Sequence, residues 1–302
     1  MRAAHGTPWR PALRALLAVA LTTPALAAQS RDTSVRLVPD AVVDVTVRSG
    51  RLTVRGIDGS IGSVRGSTGD YQLRSSGVSL TLTAQGESAS RGALEIDLPR
   101  GVRIVVSTRS ADVAVRDIRG GVEVQSTSGD VRLEDVGGRV IVETISGNVA
   151  ISGGTHLRVG TVSGELRVRD ARGDIALHTT SGNVTVSGSG IARLDAESMS
   201  GDVRLEGGLG AAARVRVNTH SGDVVLQLPE AARGRLSHST VNGELSAGGP
   251  LTLLPGTVTG GHRGRGAQQY EFGGDAKGDA RGLQIDISTF SGSVRLLRAL
   301  RF

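Results

Sequence analysis

The chain has 302 residues, with 35 Lys and Arg against 29 Asp and Glu, and it contains no cysteine. The lack of cysteine excludes a disulfide framework and any thiolate metal site, so stability has to come from a hydrophobic core. Basic and acidic residues alternate along the sequence instead of clustering, which excludes the basic patch typical of nucleic-acid binding.

Residues 1–28 have the pattern of a secretory signal peptide. Three arginines flank or precede an apolar stretch from Ala15 to Leu21, and Ala25-Leu26-Ala27 supplies the small residues of a cleavage site. The apolar stretch is too short to span a bilayer, and no later stretch is longer. We therefore predict an exported domain over residues 29–302, without a transmembrane segment, in the periplasm, at the cell surface or outside the cell.

The region before residue 100 contains irregular pieces of a repeat. Val43 to Val47 alternate with polar residues and lead into a Ser49-Gly50 corner, which Thr68-Gly69-Asp70 repeats 19 residues later. Residues 78–83 and 93–98 are two further predicted strands, separated by a polar loop.

From Gly121 to Leu226 the sequence repeats at intervals of 17–21 residues. Each copy is centred on Ser-Gly followed by Asp, Asn or Glu, and β-branched or other apolar residues alternate on both sides of that centre. Alternation with a period of two predicts two strands per copy, with the Ser-Gly corner between them. The predicted corner glycines are Gly129, Gly147, Gly164, Gly182, Gly201 and Gly222, with Gly243 and Gly292 in two later copies.

A single copy cannot fold alone. Its buried side chains contribute about 10 kcal/mol at about 2 kcal/mol each, whereas ordering its backbone costs roughly 1–2 kcal/mol per residue. Stacking of the copies closes this deficit, so we predict an all-β, single-domain parallel β-solenoid (β-helix) of about ten rungs with irregular capping ends. An antiparallel meander is the alternative, because Ser-Gly-Asp or Ser-Gly-Asn can also form a hairpin turn.

A column of small hydroxyl residues favours the stack over the meander. One lies two positions before every corner serine, on the apolar side, and we expect each hydroxyl to bond to its neighbours in the rungs above and below. The column contains Ser126, Thr144, Thr161, Thr179, Ser198 and Thr219.

Charged residues share the outward face of the second strand, and neutral rungs with Asn148 and Asn183 lie between them. This pattern predicts a solvated surface on which like charges do not stack. The charged pairs are Asp130 with Arg132, Glu165 with Arg167, and Asp202 with Arg204.

The residue immediately before each corner serine should point outward, yet it is often apolar. Either the strand bends at the corner and tucks these residues inward, or they form an exposed contact ridge for a partner. The candidate ridge residues are Ile145, Val162, Met199 and Val241.

After Leu226 the pattern loosens. Residues 236–245 form a variant rung with an Asn242-Gly243-Glu244 corner, and residues 285–296 form a last rung. His238 occupies a position that neighbouring rungs give to Val or Leu, which predicts a buried core histidine. A loop rich in Gly and Arg at residues 256–266 and a strand at Gln268–Phe272 separate these rungs.

Several of these motifs resemble those of the bacterial putative-adhesin β-solenoid family, a domain of unknown function. They are the Leu98-Pro99-Arg100-Gly101-Val102 entry, the serial Ser-Gly-Asp/Asn-Val corners, Thr240-Val241-Asn242-Gly243-Glu244 and Ser288-Thr289-Phe290-Ser291-Gly292. The resemblance covers roughly residues 40–298. It implies a parallel β-solenoid exported from the cytoplasm, and it brings no catalytic residues.

No sequence motif of catalysis or cofactor binding is present. The histidines lie in different registers of the repeat, so they are not expected to converge on a metal, and we predict no catalytic residue, cofactor or metal ion. The function we expect is a non-enzymatic, adhesin-like or envelope-associated scaffold with an unknown protein or polysaccharide partner. The alternatives are a carbohydrate-active β-helix enzyme, which needs paired carboxylates in a groove, and a structural polymer stacked end to end.

Overall fold

The computed structural model describes residues 31–66, 71–84, 92–254, 260–261, 265–273 and 282–299. The predicted signal peptide, the corner at 68–70, His262 and most of the 256–266 loop lie outside these residues. No helix in the described ranges is long and apolar enough to cross a membrane.

The described residues form strands throughout. The strands are β1 (Arg31–Arg36), β2 (Val42–Ile57), β3 (Ile61–Gly66), β4 (Tyr71–Ser75), β5 (Ser79–Ala84), β6 (Ala93–Pro99), β7 (Arg103–Arg116), β8 (Val122–Ser126), β9 (Val131–Val136), β10 (Arg139–Ser146), β11 (Val149–Gly153), β12 (His156–Ser163), β13 (Leu166–Ser181), β14 (Val184–Ser200), β15 (Val203–Glu206), β16 (Leu209–Ser221), β17 (Val224–Pro229), β18 (Gly234–Ser239), β19 (Leu245–Ala247), β20 (Leu251–Leu253), β21 (Gly260–Gly261), β22 (Arg265–Gly266), β23 (Gln268–Phe272), β24 (Leu283–Ser291) and β25 (Val294–Ala299).

Parallel pairing joins successive copies of the repeat into one stack, which confirms the β-solenoid and excludes the meander. Within the described residues there are eleven rungs, each with a first strand before the corner and a second strand after it. In spatial order, rung 1 is β5 with β6, rung 2 is β2 alone, rung 3 is β7 alone, rung 4 is β8 with β9, rung 5 is β10 with β11, and rung 6 is β12 with the start of β13. Rung 7 is the end of β13 with the start of β14, rung 8 is the end of β14 with β15, rung 9 is β16 with β17, rung 10 is β24 with β25, and rung 11 is β18 with β19.

The core lies between the sheet formed by the first strands and the sheet formed by the second strands. Within each sheet, apolar residues at equivalent positions of successive rungs lie directly over one another. Val149 is paired with Val131 on one side and with Leu166 on the other, and all three side chains are at most 2% exposed. Each such buried side chain contributes about 1.5–3 kcal/mol. The period-two alternation therefore places one continuous apolar column on the inside of each sheet.

The order of the rungs departs from the order of the sequence at both ends. Rung 2 (residues 42–57) lies between rung 1 (residues 79–99) and rung 3. Likewise, the rung at residues 283–299 stacks on β16 and β17, and residues 234–247 pack outside it. The sequence-based order, in which residues 285–296 form the last rung, is therefore wrong.

Antiparallel strands cover both strands of rung 1 and the first strand of rung 11. At one end β3 pairs with β6, β1 pairs with β3, and β4 pairs with β5. At the other end β23 pairs with β18, and β20 with β23. Tyr71 and Leu73, which follow the predicted Thr68-Gly69-Asp70 corner and would continue that repeat copy, belong instead to the antiparallel cap strand β4. These caps satisfy ladder groups that would otherwise form open sheet edges.

The corner glycines are required by the close approach of neighbouring rungs. Of the eight predicted positions, all except Gly243 have positive φ, for example 127° at Gly147. A Cβ atom on Gly147 would lie 2.2 Å from the carbonyl oxygen of Gly129 in the rung below. Gly243 lacks positive φ, but a Cβ there would lie 2.1 Å from the Gly292 oxygen. Any side chain at these corners would force two rungs apart.

A second corner, which the sequence analysis missed, ends the second strand of several rungs. Asp117, Asp135 and Asp170 have φ values of 60°, 52° and 53°. Asp tolerates the left-handed region because its short side chain can bond locally. The turn directs the next residue, such as Ile118 or Val136, into the core. Each of these aspartates lies six residues after its corner glycine or the equivalent alanine, the signal that could have revealed them.

The Asp or Asn after each corner glycine links one rung to the next. The Oδ1 atom of Asp130 accepts a hydrogen bond from the Asn148 backbone N–H at 2.9 Å, and Asp202 does the same for Asp223. The prediction that neutral rungs separate the charged ones fails at Asp202 and Asp223, which are adjacent. Both Asp and Asn carry a side-chain oxygen that accepts this backbone hydrogen bond, so either residue suits the position.

Of the three predicted charge pairs, only Glu165 with Arg167 forms an ion pair. Arg132 and Arg204 instead lie within 4 Å of the carboxylates of Glu134 and Glu206, two positions further along the strand. The surface is charged as expected, but Arg132 and Arg204 have other carboxylate partners than predicted, because Asp130 and Asp202 accept hydrogen bonds from backbone N–H groups.

The hydroxyl column is buried as predicted, but its bonding differs from the prediction. The hydroxyls of Ser126, Thr144 and Thr161 donate to the carbonyl of the corner serine two residues further along their own rung, at 2.9–3.2 Å. Four equivalent hydroxyls towards the C-terminal end have no hydrogen-bond partner: those of Thr179, Ser198, Thr219 and Thr289. The hydroxyls that have partners therefore stabilise individual corners, and the column does not form a hydrogen-bonded ladder between rungs.

Candidate binding groove

A groove follows the outer face of the first-strand sheet, beside the Ser-Gly corners. Four cavities lie along it, of about 450, 450, 460 and 570 Å³. Together they extend from Thr46 in rung 2 to Phe290 in rung 10. The groove is therefore a shallow, extended surface with the same direction as the stack.

Two columns of outward side chains form the walls of the groove. The polar column contains the residue three positions before each corner serine, and its members pair directly from rung to rung: Gln125, Glu143, Gly160, His178, Glu197, Asn218 and Ser288. The corner ridge contains the residue immediately before each corner: Thr127, Ile145, Val162, Thr180, Met199, His220, Phe290 and Val241.

The corner ridge points outward, so the interpretation in which these side chains tuck inward is wrong. Ile145 is 53% exposed, Val162 48% and Met199 60%. The strand stays regular up to the corner because the hydroxyl residue before each of them faces the core, and the ridge residue must then face water.

Exposed apolar surface is concentrated on this ridge. Among the described residues eleven large hydrophobic side chains are exposed, and five of them belong to the ridge: Ile145, Val162, Met199, Val241 and Phe290. Scattered exposed hydrophobic residues need no explanation, but their concentration in one column, interrupted over rungs 5 to 11 only by Thr180 and His220, is typical of an interaction site.

The largest of these four cavities, of about 570 Å³, lies over rungs 7 to 11. On its ridge side the rings of His220 and Phe290 are stacked, with centroids 4.7 Å apart and planes 13° apart. On its polar side Nδ1 of His178 lies 3.3 Å from Oε2 of Glu197. The sequence did not reveal the ring pair, because His220 and Phe290 are 70 residues apart and become neighbours only through the altered rung order.

The opposite end of the groove is basic. Arg48 and Arg109 occupy the ridge position in rungs 2 and 3, and they line a cavity of about 450 Å³ together with hydroxyl residues such as Thr46 and Ser107. The two ends therefore differ in chemistry, with guanidinium groups at one end and stacked rings at the other.

The histidines lie apart from one another. His156 lies beside Thr155, and His178 and His220 lie on opposite walls of the groove. His238 is 4% exposed, as predicted for a core histidine, and desolvation by burial lowers its pKa below the ordinary value of 6.5. Within the described ranges no three His, Asp or Glu side chains are arranged to hold a metal ion.

Fold and groove together define a parallel β-solenoid with an extended groove on one sheet face. Among protein families, the model of the Toastrack DUF4097 family matches residues 88–252, which is more than half of the chain. The chain belongs to the Toastrack DUF4097 family. No curated protein matches the sequence.

Three solved structures are similar to this chain. A putative adhesin from Bacteroides fragilis is 13% identical with a TM-score of 0.38, and the match covers 89% of this chain and 97% of that one. A putative cell adhesion protein from Clostridium sporogenes is 10% identical with a TM-score of 0.26, covering 90% and 100%. A putative adhesin from Parabacteroides distasonis is 11% identical with a TM-score of 0.28, covering 89% and 98%. Scores this low transfer neither residues nor a function.

Proposed function

We propose that this protein is exported by residues 1–28 and acts as a non-enzymatic, adhesin-like or envelope-associated scaffold that binds its partner along the groove. The observation that carries the proposal is the corner ridge, a row of exposed apolar side chains on one regular face. A stacked solenoid holds such a row at a fixed spacing of about 4.8 Å per rung, so the surface needs little reordering when it binds.

The charges along the groove support a binding role over an enzymatic one. Glu143 and Glu197 belong to the same polar column, but Gly160 and His178 lie between them, so the carboxylates are three rungs, or roughly 14 Å, apart. Glycoside hydrolysis requires two carboxyl groups within about 5–9.5 Å. Asp195 and Glu197 are closer along one strand, but Glu197 is exposed and already paired with His178.

The capped ends of the stack count against the structural polymer. Antiparallel strands already occupy the ladder groups of β5, β6 and β18. A second molecule could not continue the parallel stack there without displacing them.

The test compares the binding of purified variants to bacterial envelope fractions. Ile145→Asp and Val162→Asp place charges on the ridge and should abolish retention while leaving the melting temperature unchanged, because both positions are exposed. Ala150→Asp is the matched control: it faces outward on the opposite sheet of the same rung, between Arg132 and Arg167, and should bind like the parent. Retention of the Ile145 and Val162 variants would contradict the proposal.

Export is tested separately. Leu17→Arg interrupts the apolar stretch of the predicted signal peptide and should leave an uncleaved precursor in the cytoplasm. Fractionation followed by mass spectrometry of the N-terminus would measure this, and normal export of that variant would contradict the assignment.

A further inference from the structure

We propose that the large cavity over rungs 7 to 11 binds a neutral, linear glycan that lies parallel to the solenoid axis. This inference rests on the proposed function and assigns a ligand class to one part of the groove. Its basis is the composition of the two walls: the polar column carries a hydrogen-bonding side chain in each of rungs 7 to 10, and the ridge carries Met199, His220 and Phe290 in rungs 8 to 10.

The polar wall offers hydrogen-bonding groups at each rung. The amide of Asn218, the carboxylate of Glu197 and the hydroxyl of Ser288 occupy adjacent positions of the polar column and line the cavity. Sugar hydroxyls both donate and accept hydrogen bonds, so they can pair with amide, carboxylate and hydroxyl groups alike.

An extended peptide fits this surface less well. A peptide carries a donor and an acceptor at almost every residue, and these need partners when they are buried. The backbone groups of β14, β16 and β24 are already used in the parallel ladder between the rungs. Strand addition requires a free sheet edge, and the groove is on a sheet face.

The charge of the cavity indicates a neutral ligand. Its lining contains no Lys or Arg, and Glu197 is its carboxylate. His178 lies within 3.3 Å of that carboxylate. An anionic polymer in this cavity would meet the Glu197 carboxylate and no arginine or lysine among the residues that line it.

The ridge wall supplies apolar contact of matching length. Met199, His220 and Phe290 follow one another in adjacent rungs, and the two rings are 4.7 Å apart. The C–H groups of a pyranose can pack against such a wall while its hydroxyls face the polar column. A pyranose unit is about as long as one rung is tall, so successive units lie against successive rungs, with roughly four units over rungs 7 to 10.

The experiment is calorimetric titration of the purified protein with three tetrasaccharides. Cellotetraose and N-acetylchitotetraose are neutral, extended β-1,4-linked chains, and tetragalacturonate is an acidic one. We expect at least one neutral chain to bind with a Kd of about 1 mM or lower, and the acidic chain to bind at least tenfold more weakly. Phe290→Ala and Asn218→Ala should each weaken binding of the neutral chain at least tenfold.

Ala150→Asp is the control, since Ala150 faces outward on the opposite sheet and lies outside this cavity. It should bind like the parent. The inference is overturned if neither neutral tetrasaccharide binds with a Kd below about 10 mM, if the acidic chain binds more tightly, or if the Phe290 and Asn218 variants bind unchanged.

The two proposals can fail separately. Envelope retention that is sensitive to Ile145→Asp, together with no binding of the neutral tetrasaccharides, would leave the scaffold function standing and exclude the glycan site. Tetrasaccharide binding without envelope retention would establish the glycan site and exclude the scaffold function.

Discussion

Replacing Gly147 by Ala tests whether the corner glycines are what allows the rungs to approach one another. Gly147 has a φ of 127°, which costs a residue with a Cβ about 1–3 kcal/mol. The added Cβ would also lie 2.2 Å from the Gly129 oxygen, a backbone atom that cannot rotate away. Overpacking of this kind costs about 1–3 kcal/mol, so the free energy of unfolding should fall by about 2–6 kcal/mol in total.

Three other glycines separate the two contributions. Gly160 has neither positive φ nor any heavy atom within 4 Å of the place an added Cβ would take, so Gly160→Ala should be neutral or stabilise by about 0.4–1 kcal/mol. Gly190 has a φ of 77° and open space around it, so Gly190→Ala tests the backbone strain alone. Gly188 has no positive φ, but an added Cβ would lie 2.3 Å from the Ala171 oxygen, so Gly188→Ala tests the clash alone.

Urea unfolding followed by circular dichroism measures the series, with the slope m checked for constancy so that the midpoint reports stability. The expected order of midpoints is Gly160→Ala highest, Gly188→Ala and Gly190→Ala between, and Gly147→Ala lowest. If the midpoint of Gly147→Ala is as high as that of Gly160→Ala, the close approach of the corners is not what requires glycine.

Three more predictions follow from buried groups and from rung order. Thr161→Val loses a hydroxyl hydrogen bond and should destabilise by about 1 kcal/mol, whereas Thr179→Val removes a buried hydroxyl without a partner and should be neutral or stabilising in the same urea assay. Burial lowers the pKa of His238 below 6.5, so the unfolded chain takes up a proton that the folded one resists. The melting temperature should therefore fall as the pH drops below 6.5, and less so in His238→Leu, while an equal pH dependence in both would refute this. Deleting residues 283–299 removes β25, the strand with which β19 pairs, so hydrogen exchange should show residues 245–247 unprotected, whereas β18 keeps β23 as a partner. Continued protection of residues 245–247 would contradict the rung order.

The sequence predicted the corners and the buried faces because both are local properties. Alternation with a period of two assigns Val131 and Val149 to one face of a strand without knowledge of the partner strand. The recurrence of Ser-Gly at nearly constant spacing then predicts that these faces stack, and the parallel register confirms it.

The rung order at the two ends could not be predicted in the same way. The apolar pattern of β2 suits any position in the stack, and the pairing of β2 with both β6 and β7 is set by contacts far apart in sequence. The candidate groove depends on the same non-local contacts. Phe290 joins His220 only because residues 283–299 insert next to β16.

Hydrogen-bond partners were the least predictable feature. A hydroxyl in a repeated position can bond up or down the column or along its own chain, and the residue type does not distinguish these. In Thr144 and Thr161 the carbonyl two residues away is nearer in sequence and is the acceptor. The aspartates after the corners were interpreted as surface charges for a similar reason. The sequence of one copy does not show that the backbone N–H of the next copy lies within hydrogen-bonding distance.

Near each end of the stack, a segment is inserted between two other rungs, and this insertion opposes unravelling of the chain from its ends. These segments form rungs 2 and 10. A solenoid with sequential rungs can fray from its tips, because each outermost strand has only one hydrogen-bonded partner. Here the two segments β2 and β24–β25 have ladders on both sides, so peeling either one requires two rows of bonds to break together. Such an arrangement raises the barrier to unravelling and gives proteases few partly opened chains to cut.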